Sequence, residues 1–315
     1  MLSRRRRTDE DEASCIQKER QDRVRSAVPV LCGNHSDQGV LRVKRRILLR
    51  VAFDGTNYAG WQLQPNGLTI EEVLNRELSR LLKEEIRVIG ASRTDAGVHA
   101  EGAVCVFDTE SGIPGDKFCY AINQSLPEDI RAMASNEVAL DFHPRKRASI
   151  KTYRYQIYND TFLPPSKRLY YHHVHGKLDI EAMQQAAGFF PGEHDFKAFS
   201  KEREDRAARE KRALSGETTE INTVRTIYRS QLSSDGPAIE YLISGSGFLY
   251  NMVRIIAGTL IDVGQGRIAW DSIPEILERR DRGRAGQTAP AKGLCLMNCD
   301  YNVAIKTEIK YNQDR

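Results

Sequence analysis

The apolar period switches repeatedly along this chain, and that alternation limits the fold more than any other feature. Short runs of period two or continuous apolar residues, the mark of strands, are interspersed with runs of period near 3.6, the mark of helices. Residues 47 to 53 read as a strand that ends in a turn at Asp54 and Gly55. Thr69, three residues ahead of Glu72, forms a capping box before Ile70, Val73, Leu74, Leu78, Leu81 and Leu82, which share one helical face. Short strands at 86 to 89 and 103 to 107 flank a stretch, 92 to 102, that is a loop by composition, and a second helix is expected at 116 to 125. Further on, Tyr153, Tyr155 and Ile157 alternate with Arg154 and Gln156 in a strand over 151 to 158, and Asp179 caps a helix through residue 190. Strands at 226 to 232 and 239 to 244, helices at 248 to 263 and 271 to 280, and a strand at 294 to 301 complete the pattern. Strands and helices mixed in this way describe an α+β protein of two similar halves divided near residue 145.

Length permits this arrangement: 315 residues that are 40% hydrophobic can build two cores of ordinary size. The first 46 residues hold twelve Lys and Arg against seven acids, a local excess of +5 in a chain of net charge +4. Beyond residue 46 the chain is therefore not globally basic, so any nucleic acid must be held by a localised patch. Residues 1 to 44 are expected to form a disordered charged tail, because their composition cannot offset the entropy of ordering. The acids Asp9 to Glu12 directly behind Arg4 to Arg7 disfavour an organelle presequence. Residues 201 to 220 are equally charged and read as a surface insertion. No apolar run reaches bilayer length and no secretory signal opens the chain, so a cytoplasmic location is expected. The six cysteines lack metal-like spacing, and Cys295, Met297 and Cys299 are expected on one face of the final strand as small buried hydrophobes.

One segment stands apart chemically. In Ala91-Ser92-Arg93-Thr94-Asp95-Ala96-Gly97-Val98-His99-Ala100, small residues surround a single carboxylate, leaving space for a bulky planar ligand, while Arg93 is placed to reach a phosphate. On the residues alone, an aspartate that braces a turn is favoured over an aspartate that meets a ligand. Arg254 lies among Met252, Val253, Ile255 and Ile256 on an otherwise apolar helix, where a guanidinium needs a carboxylate or a phosphate.

Residues 93 to 100, RTDAGVHA, resemble the catalytic motif of the tRNA pseudouridine synthase A family. The resemblance extends, in the same order, to the stretch from Phe53 to Gln62, to Tyr153-Arg154-Tyr155, His194-Asp195-Phe196, Asn251-Met252-Val253-Arg254 and Gly293-Leu294, and it spans residues 44 to 301. It implies two half-domains, 45 to 147 and 148 to 303, each a mainly antiparallel sheet with helices on one face, joined across a central catalytic cleft, with a tail at 304 to 315. It also implies isomerisation of uridine to pseudouridine at positions 38, 39 or 40 of the tRNA anticodon arm, with no metal and no organic cofactor. Family members act as homodimers, so a homodimer is expected.

Carried over position by position, Asp95 is the residue that attacks C1′ or C6, or that removes the C2′ proton, routes that sequence does not separate. Tyr153 is expected to stack on the turned-out uracil or to help move the C5 proton, and Arg254 to pair with Asp95 and orient it. Leu294 or Leu296 would wall the base. Candidate contacts to RNA phosphates are Arg93, Arg145, Lys146, Arg147, Lys151 and Lys197, although charge runs of this kind are also ordinary solvated faces. A stacked uridine cannot reach a carboxylate, so the nucleotide must be extruded. Where the family commonly has Ala-Arg after the phenylalanine equivalent to Phe142, this chain has His143-Pro144-Arg145. Two other readings are carried forward: an RNA-binding or RNA-folding protein without catalysis, and a pseudouridine synthase acting on other RNAs.

Overall fold

In the computed structural model, residues 43–201 and 222–301 are described. The expected N-terminal tail, charged insertion and C-terminal tail lie almost wholly outside them. Among the described residues, ten strands form one mixed, mostly antiparallel sheet. They are β1 (Arg45–Phe53), β2 (Ile89–Gly90), β3 (His99–Thr109), β4 (Ile130–Val138), β5 (Ser149–Asn159), β6 (His172–Val174), β7 (Gly192–Asp195), β8 (Val224–Asp235), β9 (Ala238–Gly245) and β10 (Leu294–Tyr301). The main order is β4-β1-β3-β10-β5-β9-β8-β7, with β2 on β3 and β6 on β5. The helices are α1 (Ile70–Leu82), α2 (Phe118–Ile122), α3 (Ile180–Ala187), α4 (Met252–Gly264) and α5 (Ile273–Arg279).

The last strand closes the architecture. β10 runs parallel to β3 only through Cys295 opposite His99 and Leu296 opposite Ala100, and antiparallel to β5 along most of its length. A strand formed at the end of the chain is thus the seam between the early strands and the later ones. Alternate residues of β1 (Ile47, Leu49, Val51 and Phe53) and of β5 (Tyr153, Tyr155 and Ile157) belong to one apolar core with α1, α3 and α4. Thr69 caps α1 by accepting a hydrogen bond from the Glu72 amide at 3.2 Å, and Asp179 caps α3 through the Ala182 amide at 3.0 Å.

Several expected elements are moved. β4 has no expected counterpart, because Met133 and Asn136 break its apolar alternation; pairing with β1 holds it. β3 starts at His99, so the preceding loop is shorter than composition predicted. α4 starts at Met252 rather than at residue 248, since Asn251 has a left-handed backbone (φ 60°) incompatible with a helical interior. The helix expected at 116 to 125 contracts to a short 3-10 turn followed by α2. Cys295 and Cys299 do not share a face: a bulge between Leu296 and Asn298 shifts the register, so Cys295 opposes Arg154 while Cys299 opposes Lys151, an odd number of residues away. Both are nonetheless buried free thiols.

Candidate active site

Asp95 sits in the loop between β2 and β3, and the turn after β1 holds that loop from beneath. The Trp61 amide donates to Thr94 O at 3.1 Å, the Gly97 amide to Tyr58 O at 3.3 Å, and the Val98 amide to Asp95 O at 3.1 Å. Gly60 (φ 96°) is required at the crossing, because a Cβ there would lie 2.6 Å from Thr94 O. His99 fastens the far end. Its Nδ1 accepts the Gly55 amide at 3.1 Å, which leaves Nε2 to donate to Leu169 O at 3.1 Å. Asp54 Oδ1 lies 3.1 Å from the same Nδ1.

α4 supplies the facing charge. Twelve of its thirteen residues are buried, and Arg254 is the exception. Its Nη1 donates to Asp95 Oδ2 at 3.1 Å and to Asn251 Oδ1 at 3.0 Å, while Nε donates to Ala289 O at 2.8 Å. Ala289 in turn donates its amide to Arg254 O at 3.0 Å. The guanidinium is therefore held by three acceptors, one of them an oxygen of the Asp95 carboxylate. Side-chain exposures of 18% for Arg254 and 23% for Asp95 place the pair beyond full solvent screening.

Tyr153 faces the same region from β5. Burial, the dominant cause, and the charge of Asp95 hold its phenol well above the ordinary tyrosine range, so it stays neutral and can donate a proton in a hydrogen bond. Its ring meets Phe248 edge-on at 5.1 Å. Tyr155, two residues on, donates its hydroxyl to Pro290 O at 2.9 Å and so anchors the segment next to Ala289. Gly293 is needed there, since a Cβ would lie 2.7 Å from the Tyr155 ring.

The other expected site residues divide into two groups. Lys151, two residues from Tyr153 on β5, donates from Nζ to Ala91 O at 3.2 Å, which ties it to the Asp95 loop. Arg145 is exposed and close enough to Lys151 to disfavour its charge. Arg93 is exposed on the Asp95 loop itself. In contrast, Arg147 pairs with Asp141 at 3.6 Å, Lys146 is exposed, and Lys197 is exposed in a short turn after β7 where its amide, not its ammonium, bonds Asp195. Leu294 opposes Tyr155 in the core; Leu296 opposes Tyr153. A cavity of about 510 Å³ lined by Asp54, Glu101, Asp129, Arg154 and Tyr170 includes none of Asp95, Tyr153 or Arg254; Arg154 and Gln156 place it on the opposite side of β5. Asn251 and His99 lie inside motifs that carry the resemblance but have no expected role there, and Ala289, which acts through its backbone amide and carbonyl, has no side-chain signal that could have marked it.

A carboxylate from the first half of the chain, clamped by a guanidinium from the second and faced by a neutral phenol, suits nucleophilic or general-base attack on a planar substrate. Residues 50–145 and 186–302 match the family model described as tRNA pseudouridine synthase. The chain belongs to the tRNA pseudouridine synthase family. It is 48% identical to the tRNA pseudouridine synthase A of Acetivibrio thermocellus over 257 residues, covering 82% of this chain and all of that relative. The tRNA pseudouridine synthase A of Ruminiclostridium cellulolyticum is likewise 48% identical over 258 residues, and that of Pelobacter propionicus 45% identical over 257, each with 82% of this chain and all of the relative covered. Within this family the Asp95 loop and the Arg254 helix fall inside the matched segments. No helix among the described residues is long and apolar enough to cross a membrane.

Proposed function

We propose that this chain isomerises uridine to pseudouridine at one or more of positions 38 to 40 in the anticodon arm of tRNA, acting as a cytoplasmic homodimer. The observation that carries the reading is the Asp95–Arg254 pair, a carboxylate and a guanidinium 3.1 Å apart that are 159 residues apart in sequence. In the reaction the C1′–N1 bond breaks, the base turns over, C5 bonds to C1′, and the C5 proton is given up while N1 regains one. Asp95 engages the extruded nucleotide at C1′ or C6 and is expelled again at the end, or it takes the C2′ proton and later returns it. Arg254 holds the carboxylate oriented; Tyr153 offers a flat face and a neutral hydroxyl near C5. Arg93, Arg145, Arg147, Lys151 and Lys197 contact the RNA backbone, and Leu294 together with Leu296 walls the base. The two halves, 45 to 147 and 148 to 303, form the sides of one cleft.

Incubating the purified chain with an unmodified tRNA transcript and mapping pseudouridine by chemical reverse-transcription stops tests this. Stops at 38 to 40 are expected. Stops confined to other positions would reject the assigned site, and bound RNA without any stop would favour the non-catalytic reading.

A further inference from the structure

Lys151 and Arg225 are unusual cations. Both are half-buried, and among the described residues neither they nor Arg145 has a carboxylate at ion-pairing distance, whereas nearby Arg147 has Asp141. Burial chiefly lowers the pKa of Lys151, with Arg225 and Arg145 pushing the same way and Cys299 opposing them; burial lowers that of Arg225. Like charges held together out of water are costly without an anion.

Their placement adds the direction. Lys151 shares a face of β5 with Tyr153 and lies opposite Gly245, which contributes no side chain. Arg225, at the start of β8, is held by hydrogen bonds from Nη1 to Asn222 O at 2.9 Å and to Val224 O. Its side chain lies across Gly247, whose absent Cβ would sit 3.8 Å from Nε, and the next residue, Phe248, is the ring against Tyr153. Arg145 adds an exposed third charge. We propose that Lys151, Arg225 and Arg145 form a receptor for one backbone phosphate flanking the uridine that is turned out toward Asp95. Because Lys151 is bonded to Ala91 O in the Asp95 loop, occupation of the receptor sets the loop against the nucleotide. Lys151 and Arg225 are thus positioning residues for the isomerisation proposed above, on which this inference rests.

The test uses tRNA assembled by ligation with a single neutral methylphosphonate on the 5′ or the 3′ side of the target uridine. With the unaltered chain, one of the two substitutions is expected to reduce kcat/KM by about tenfold or more, the loss of one charge-assisted contact. Lys151→Gln and Arg225→Gln should each cost a similar factor on normal tRNA, Arg225→Lys should recover part of it, and neither Gln variant should lose further activity on the sensitive methylphosphonate tRNA. Indifference of the unaltered chain to both methylphosphonates, or full additivity of variant and methylphosphonate, overturns the receptor. An unaltered chain that binds normal tRNA but makes no pseudouridine overturns the proposed function instead.

Discussion

Arg254 cannot be solvated fully where α4 places it, and among the described residues Asp95 is the only charged group of its three hydrogen-bond partners. Asp95→Ala leaves that guanidinium without its counter-ion and is expected to destabilise the fold by about 1–3 kcal/mol, read from urea unfolding. Asp95→Asn keeps the shape and an acceptor, so its stability should lie closer to the parent while activity is lost. Equal destabilisation by both would show instead that the charge of Asp95, rather than its shape and acceptor oxygen, carries the stability of the pair. At this scale the sequence was informative: one acid in a run of small residues and one arginine on an apolar helix both stand out. Arg225 did not, because an arginine at the start of a strand carries no signal until Gly247 and Phe248 are seen beside it.

α4 and the segment that follows α5 act together on the site, since Ala289 bonds Arg254 through both its amide and its carbonyl. Gly258 lets them approach: a Cβ there would lie 1.7 Å from Gln287 O. Gly258→Ala should therefore force the segment away, costing about 1–3 kcal/mol or more of stability and lowering activity together, as thermal melts and turnover would reveal. β6 carries a pH effect. Burial, aided by Lys292 and His173, lowers the pKa of His172 from 6.5 to about 4. The unfolded chain then binds a proton that the folded chain does not between those values, so stability present above pH 6.5 is lost as pH falls toward 4. Urea unfolding across that range should show the decline, and His172→Gln should flatten it; an unchanged slope would remove His172 as its source. Elements were legible where the period was clean, as in α1 with its cap and β5 with its tyrosines. β4 was not, because its stability comes from β1 rather than from its own residues, and the β10 bulge was hidden because it is a property of pairing.

At the scale of the molecule, β10 is the strand that joins β3 to β5. It bonds to β3 and β5 at once, across some of the longest sequence separations in the sheet, so the part of the sheet that carries the Asp95 loop closes only once residues 294 to 301 are in place. Alternation of strands and helices disclosed the α+β class, yet no local pattern states that a final strand will lie between β3 and β5. Under the proposed function, the Asp95 carboxylate performs the chemistry once this site is assembled. Tritium release from tRNA labelled at C5 of uridine measures this most directly, with RNA binding recorded in parallel. The parent should release tritium and Asp95→Asn should release none while binding tRNA with similar affinity; sustained release by that variant would contradict the account.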